Sequence, residues 1–302
     1  MSQAPSPSTG RAYGLKRVCA LWRVARSTVY AQRRREAVPV HERPTPNKRG
    51  PAGPCIDAEL LGHIRQVLSA CPFHGEGYRK VWARLRFAGI RTSKERVRRL
   101  MREAGLQAPH RVGKPRGPKA HDGTIRTERP DRMWGTDMTT TVTTEEGVAS
   151  VFVAVDHCSV DCVGIHAAAS GNRFEALEPI RQGVAERFAG LEADVADGLK
   201  IRHDHGKAYL SDDFQRELAH LGIESSPSFV RAPEGNGLAE WFIRILKENL
   251  LWVRSFATVE ELRLALLEFK DVYNHRWIIE RHGYRTPAQA RQEKLAQLAE
   301  AA

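Results

Sequence analysis

Three acidic residues lie in sequence settings that suit the binding of divalent metal ions. Asp137 opens a stretch rich in β-branched residues, and Asp204 ends a short run that alternates apolar and polar residues. Glu240 follows a turn rich in Gly and Asn, and 35 residues separate it from Asp204. Carboxylate oxygens are the hard ligands that Mg²⁺ prefers. Brought together by two strands and a helix, they can hold two ions about 3.5–4 Å apart, which activate an attacking oxygen and stabilise a leaving one.

The motifs around these acids, taken in order, resemble those of one known family. Residues 134–139 read Trp-Gly-Thr-Asp-Met-Thr, residues 204–206 read Asp-His-Gly, and residues 233–240 read Pro-Glu-Gly-Asn-Gly-Leu-Ala-Glu. This set resembles the DDE transposases of bacterial insertion sequences, which carry a retroviral-integrase-type core and are encoded by the element's second reading frame. The resemblance runs from about residue 57 to residue 292. Where the family often has Ser-Asp-Arg-Gly, this chain has His-Asp-His-Gly at residues 203–206, so the acid and the glycine are kept.

The resemblance implies an α/β RNase H-like catalytic core preceded by an all-α helix-turn-helix region. It implies two Mg²⁺ ions, with Mn²⁺ as a substitute. Asp137 would bridge both ions, Asp204 would bind one and Glu240 the other. Water would attack in strand nicking, and a DNA 3′-hydroxyl would attack in strand transfer.

The family's partners are double-stranded DNA at the terminal inverted repeats of the element and at the target. Two ends must be held together for joining, so the resemblance implies a homo-oligomer on DNA. Relatives are often made as a fusion with an upstream-frame product, which is a further expected partner.

Each acid taken alone is weakly informative, because most carboxylates are surface groups. Asp156, Asp212 and Asp213 are competing candidates. Asp137 is favoured by its Trp-x-x-Asp-x-Thr context. Asp204 is favoured because Gly206 permits a sharp turn beside a metal ion.

The helix predicted from residue 238 to residue 253 offers cations beside Glu240. Arg244 and Lys247 follow it by four and seven residues and therefore lie on the same helix face. We predict that both bind DNA phosphates. A surface ion pair between Glu240 and Arg244 is the structural alternative. Asn236 is predicted to shape the preceding loop and to contact DNA.

The charge of the chain is divided unevenly between its two parts. Residues 1–130 hold 28 Lys and Arg against 9 Asp and Glu, whereas residues 131–302 hold 19 against 27. The net charges are therefore +19 and −8, which sum to the overall +11. A basic front part joined to an acidic back part predicts a nucleic-acid-binding region attached to a different domain.

Two helical segments in the basic part are predicted to contact DNA. Residues 11–35 resemble a short helix-turn-helix whose second helix would be capped by Ser27 or Thr28, with Trp22 and Arg23 where a turn glycine is usual. Residues 57–105 are predicted to form three helices, the third capped by Thr92 or Ser93. The predicted DNA contacts of the two segments are Arg33, Arg34, Arg35, Lys94, Arg98, Arg99 and Arg102.

From residue 134 the pattern changes to strands. Three strands, a helix, a strand, a helix, a short strand and two further helices are predicted in that order. The predicted domains are a basic segment and linker (1–56), a helix-turn-helix domain (57–106), a basic linker (107–130), a catalytic core (131–292) and a tail (293–302).

Several other classes of protein are disfavoured. The polar start lacks a signal peptide and residues 148–155 are too short to span a bilayer, so we expect a cytoplasmic protein. Five cysteines without regular spacing fit a reducing compartment. A zinc site is disfavoured because the gaps of seven, seven and two residues between its candidate ligands do not match a compact finger. Those candidates are Cys55, His63, Cys71 and His74.

Two further functions stay open at this point. A DNA-binding repressor that keeps an RNase H-like scaffold would bind ends without nicking them. A nuclease for RNA–DNA hybrids would not need the long basic front part. Metal-dependent nicking of a duplex end separates both from a transposase.

Overall fold

Residues 2–39, 55–109, 125, 127–228 and 236–301 are described by the structure, which is a computed structural model. The chain divides into two units, Met1–Ala52 and Gly53–Ala302, each of which we describe by itself. Most of the two predicted linkers and the predicted turn at residues 233–235 lie outside the described residues.

The N-terminal unit contains the predicted pair of helices, α1 (Leu15–Leu21) and α2 (Arg26–Glu36). Arg23 in the turn takes a positive φ of 52°, a conformation that usually favours glycine. The predicted cap is wrong, because Ala25 holds the N-cap position and Ser27 lies inside α2. Of the described residues in the two helices, Cys19 is buried, so they share little apolar core.

The second unit begins with three helices, α3 (Asp57–Ser69), α4 (Tyr78–Phe87) and α5 (Lys94–Glu103). Ser93 caps α5 by accepting a hydrogen bond from the Arg96 N–H at 3.2 Å, so of the two predicted cap residues it is Ser93 that caps the helix. The helices bury one apolar cluster, as their spacing predicts. That cluster contains Leu60, Ile64, Val81, Leu85, Val97, Leu100 and Met101.

A five-stranded mixed sheet forms the centre of the second unit. The strands lie in the order β3-β2-β1-β4-β5. β1 pairs antiparallel with β2, β2 pairs antiparallel with β3, and β4 pairs parallel with both β1 and β5. This confirms the predicted RNase H-like α/β core. The strands are β1 (Met133–Thr143), β2 (Gly147–Asp156), β3 (Cys162–Ala168), β4 (Lys200–His203) and β5 (Glu224–Pro227).

Helices cover both faces of the sheet. On one face, α6 (Arg173–Phe188) and α7 (Asp212–His220) bury a cluster that includes Trp134 and Phe152. On the other face, α8 (Gly237–Leu246) and α9 (Val259–Arg276) bury a larger cluster with the alternate residues of β2. The sheet is therefore held rigidly between two apolar layers.

Two predicted boundaries near the C-terminus differ from the structure. The helix predicted to residue 253 ends at Leu246 and continues as one π-helical turn, Lys247–Leu251. The predicted tail (293–302) is helical as far as Ala301, because it belongs to α10 (Pro287–Ala301). The Arg291 guanidinium on α10 forms two hydrogen bonds to the Asp131 carboxylate, at 2.5 and 3.0 Å, beside the start of β1.

The three-helix region packs on the end of the catalytic core. The Lys80 ammonium lies 3.0 Å from the centre of the Trp277 ring. Arg84 forms a bidentate ion pair with the buried Glu76 and also donates to the Arg276 carbonyl at 3.1 Å. Buried bidentate pairs and cation–π contacts are among the stronger polar contacts in proteins, so the two regions form one unit.

No helix in the described ranges is long and apolar enough to cross a membrane. All five cysteines are free thiols.

Candidate active site

The pairing of β1 with β4 brings the first two acids together. Met133, Trp134 and Gly135 pair with residues 200, 201 and 202 of the parallel strand β4. Continuing this register by two residues sets Asp137 opposite Asp204. Neighbouring strands lie about 4.7–4.9 Å apart, so the two carboxylates are near neighbours.

Asp137 is a half-buried carboxylate in the middle of β1. One of its oxygens accepts a hydrogen bond from the Met138 N–H at 2.8 Å. Burial raises the pKa of Asp137 to about 6, and the charges of Asp204 and Glu240 add to the shift, whereas Lys247 opposes it. All three acids therefore belong to one electrostatic cluster.

Asp204 stands at the end of β4 in a tight turn. Its Oδ1 accepts a hydrogen bond from the Gly206 N–H at 2.8 Å. A Cβ atom at residue 206 would lie 2.9 Å from that oxygen. Gly206 therefore leaves the room that this carboxylate needs. His203 is fully buried and its ring binds the Asp204 carbonyl and Ser225, which makes it a packing residue rather than a metal ligand.

Replacing Gly206 by Ala is expected to displace the Asp204 carboxylate. The added methyl group would meet Oδ1 at 2.9 Å and the Tyr209 ring at 3.4 Å. We expect nicking to fall about 10–100-fold, the usual effect of disturbing a group that orients a metal ligand. Single-turnover nicking of a labelled duplex, together with thermal unfolding, checks this.

Gly62→Ala is the matched control, because nothing lies within 4 Å of its added Cβ. It should nick at the parental rate. A Gly206→Ala protein that also nicks at the parental rate would show that the Asp204 carboxylate need not stay where the turn holds it.

Glu240 lies on the first turn of α8, whose other faces are anchored in the core. Ala239, Phe242 and Leu246 on that helix are fully buried. Partial burial of its carboxyl raises the pKa of Glu240, and the Arg244 guanidinium opposes the shift. The Arg244 charge therefore acts on Glu240, and the Lys247 charge acts on Asp137.

Within the described ranges, no three His, Cys, Asp or Glu side chains are gathered closely enough to hold a metal ion. Asp137, Asp204 and Glu240 are neighbours without being in ligand contact.

The competing acids have structural roles. Asp156 is buried and its carboxylate accepts four hydrogen bonds, from the N–H groups of Cys158, Ser159 and Asp131 and from the Ser159 hydroxyl. Both of its oxygens therefore already serve the turn that follows β2. Asp212 and Asp213 lie in the first turn of α7, where negative charge stabilises the helix N-terminus.

Two buried hydroxyl groups beside the acids were not predicted. Thr136 Oγ1 and Tyr209 Oη are both buried, and they lie close enough together for the Thr136 hydroxyl to lower the pKa of Tyr209 against the larger effect of burial. Burial raises the pKa of Tyr209, and Asp137 and Asp204 add to the shift. Tyr209 is therefore a neutral phenol close to both acids. The sequence feature that could have indicated Tyr209 is its position five residues after Asp204.

Asn236 occupies a different place from the one predicted. It is 4% exposed, and its side-chain N–H donates to the Thr136 carbonyl at 2.9 Å. A side chain turned into the core cannot reach a DNA backbone, so the predicted DNA contact is not supported by its position.

The cations predicted on α5 lie in different surroundings. Arg99 binds Asp57 of α3 at 2.6 Å and Glu103 at 2.9 Å, so it braces the three-helix cluster. With Arg99 as the larger cause and Arg96 as the second, the pKa of Asp57 falls to about 2.

Lys94 and Arg98 also make local contacts. The Lys94 ammonium lies 4.5 Å from the centre of the Trp82 ring and 5.5 Å from that of Tyr284. Arg98 pairs with Glu95 at 3.1 Å. Arg102 is exposed, as are the three predicted cations in the last turn of α2, Arg33, Arg34 and Arg35.

Two family models match the chain. An HTH-like domain matches residues 57–114, and an integrase core domain matches residues 127–233. The integrase core match contains Asp137 and Asp204 and ends before Glu240.

Curated relatives are similar over most of the chain. The transposase InsD for insertion element IS2A/D/F/H/I/K of Escherichia coli is 25% identical over 240 residues, which cover 76% of this chain and 77% of that protein. The InsD transposase for insertion element IS2D of Escherichia coli strain K12 has the same identity and coverage.

Solved structures of retroviral proteins are also similar. A simian T-cell lymphotropic virus intasome structure in complex with PP2A regulatory subunit B56 gamma aligns with a TM-score of 0.43 and 20% identity, over 78% of this chain and 74% of the other. The HTLV-2 integrase catalytic core domain in complex with magnesium aligns with a TM-score of 0.41 and 19% identity, over 55% and 99%.

Proposed function

We propose that Asp137, Asp204 and Glu240 are the catalytic carboxylates of this chain, an insertion-sequence transposase of the DDE type with an HTH-like domain and an integrase core. The observation that carries this proposal is the shared electrostatic cluster. The charges of Asp204 and Glu240 both raise the pKa of the half-buried Asp137.

The donor set fits divalent metal ions. It consists of three carboxylates, and the positive charges that lower their pKa values are those of Lys247 on Asp137 and Arg244 on Glu240. Such an excess of negative charge in a partly buried site is relieved by a hard cation. Two Mg²⁺ ions, or Mn²⁺ in their place, would be held by Asp137, Asp204 and Glu240. When bound, the ions would activate the attacking oxygen and stabilise the leaving oxygen of the phosphodiester.

The chain's own residues would bind and orient the DNA strand. Arg244 and Lys247 lie beside the acids and would hold phosphates next to the bond that breaks. The attacking group would be water in nicking and a DNA 3′-hydroxyl in joining. No side chain needs to form a covalent bond to DNA.

The substrate would be the terminal inverted repeats of the element, followed by target DNA. The exposed cations of α2 and α5 would contact phosphates outside the active site. Their contribution would be independent of sequence and would weaken with salt. Joining needs two ends in one assembly, so the active form would be a homo-oligomer on DNA in the cytoplasm. A fusion with an upstream-frame product would be a further partner.

The function is tested on a labelled duplex that carries one terminal repeat of the element. We expect nicking at the 3′ end with Mg²⁺ or Mn²⁺ and none with EDTA, whereas binding of the duplex should continue in EDTA. An RNA–DNA hybrid of the same sequence should be cut much more slowly. Binding without any metal-dependent nicking would instead favour a repressor, and preferred cutting of the hybrid would favour a ribonuclease.

A further inference from the structure

One buried amide joins the two elements that carry the first and third acids. The side-chain N–H of Asn236 donates to the carbonyl of Thr136 at 2.9 Å. Thr136 directly precedes Asp137 on β1, and Asn236 directly precedes α8, which carries Glu240 four residues later. A single hydrogen bond therefore connects the start of the Glu240 helix to the Asp137 strand.

This bond is not an ordinary helix cap. An asparagine before a helix usually accepts a hydrogen bond from an N–H in the first turn. In the described part of the chain, Asn236 makes no such side-chain bond, and its Oδ1 has no partner. The Asn236 side chain therefore binds the backbone of β1 and does not cap α8.

The strand β1 has no side chain at Gly135, where the start of α8 packs against it. A Cβ atom at Gly135 would lie 3.2 Å from Asn236 Oδ1, 3.1 Å from His157 Nε2 and 3.6 Å from the Ala239 Cβ. Contacts of 3.1–3.2 Å to a carbon atom are tighter than ordinary packing allows. The glycine thus permits the close approach that the amide bond then holds.

We propose that Asn236 is a positioning residue, which holds the first turn of α8 on β1 so that Glu240 stays within reach of the ions bound by Asp137. The proposal rests on the proposed catalytic role of the three acids. Asn236 and Glu240 are about one helical turn apart. A shift of the helix start is therefore passed on to the carboxylate. A misplacement of about 1 Å can cost about 100-fold in rate.

Two substitutions at Asn236 separate the hydrogen bond from packing. Asn236→Ala removes the donor and leaves a space, whereas Asn236→Leu removes the donor and keeps a similar volume. We expect both variants to nick about 10–100-fold more slowly and to need more Mg²⁺ for half-maximal rate. The rise in Tm caused by Mg²⁺ alone should also shrink, while the Kd for the end duplex without metal should stay within about twofold.

Asn274 supplies the matched control. It is 7% exposed, and its side-chain N–H donates to the Cys162 carbonyl at 2.9 Å. It therefore loses the same kind of bond on replacement, away from the acids. Asn274→Ala should lower Tm without changing the Mg²⁺ requirement. Gly135→Ala should reproduce the kinetic loss of the Asn236 variants, because its methyl group pushes against the amide.

Three outcomes would overturn the proposal. Nicking within about threefold of the parent in both Asn236 variants would remove any positioning role. A weaker Kd for DNA with an unchanged Mg²⁺ requirement would make Asn236 a DNA contact. A lower Tm with an unchanged Mg²⁺ requirement, as for Asn274→Ala, would make it purely structural. Failure of the catalytic proposal itself is recognised separately, by activity that survives replacement of the acids.

Discussion

Replacing Asp137 or Asp204 by Asn, or Glu240 by Gln, is expected to abolish nicking and joining while DNA binding continues. Each amide keeps the shape of the carboxylate and loses the charge that holds the metal ions. Metal ions supply several kcal/mol of transition-state stabilisation, and each 1.36 kcal/mol is a factor of ten in rate. We therefore expect losses on the order of 10³-fold or more in single-turnover nicking of a labelled end.

The folded state should tolerate these changes. Burial and like charges raise the pKa of Asp137 to about 6, so its ionised form is unfavourable in the metal-free protein. Asp137→Asn removes that charge and should leave Tm unchanged or raise it. Loss of activity in a protein that melts no earlier than the parent separates catalysis from folding.

Asp212→Asn is the control, since this exposed acid lies in the first turn of α7 and should nick normally. Any one of the three variants with a parental strand-transfer rate would remove that residue from the site. The result for Glu240→Gln is the most informative of the three, because the integrase core match ends before residue 240.

Replacing Gly164 by Ala is expected to produce the largest loss of stability. Gly164 lies in β3 directly under α6. A Cβ atom there would lie 1.8 Å from the backbone oxygen of Pro179 and 2.5 Å from its carbonyl carbon. A backbone group cannot turn aside as a side chain does, so the helix would have to lift from the sheet. We expect a loss of about 4 kcal/mol or more, the upper range for single substitutions.

The measurement is thermal unfolding of Gly164→Ala beside Gly62→Ala. At about 2–4 °C for each kcal/mol in a domain of this size, Gly164→Ala should lower Tm by about 8–16 °C or fail to accumulate. Gly62 lies on α3 with open space around its Cβ position, and Ala there should stabilise by about 0.8–1 kcal/mol through helix propensity. A Gly164→Ala protein that melts within about 2 °C of the parent would contradict the described packing of α6 on β3.

Local patterns predicted most of the fold. Apolar spacing predicted the three helices of residues 57–105, and the order of elements together with the family resemblance predicted the RNase H-like sheet. Ser93 was one of the two cap residues predicted for α5, and its hydroxyl does accept the Arg96 N–H at 3.2 Å. These signals lie within a few residues of the structure that they specify.

The misses share a long-range cause. The last helix was assigned partly to a tail, because the partner that holds Arg291 is Asp131, 160 residues away. The bond from Asn236 to Thr136, which spans 100 residues, was not predicted. The bond from Arg99 to Asp57, 42 residues before it, was not predicted either. Only the folded chain reveals such contacts.

The candidate acids were predictable because each has a local motif. Their mutual approach follows from strand pairing, which the sequence indicates only as an order of elements. Gly206 was predicted to permit a turn beside Asp204, whereas the close approach of Asn236 and His157 to Gly135 needed coordinates.

The short pairing between β1 and β4 makes the second acid sensitive to distant change. Three residue pairs align these strands, and a slip by one residue would turn every following side chain to the opposite face. The strand β5 pairs with β4 through four residues. Substitutions that disrupt β5 are therefore expected to abolish activity even though the three acids are unchanged. In inactive copies of such a protein, we therefore expect inactivating substitutions in the edge strand β5 as well as at the three acids.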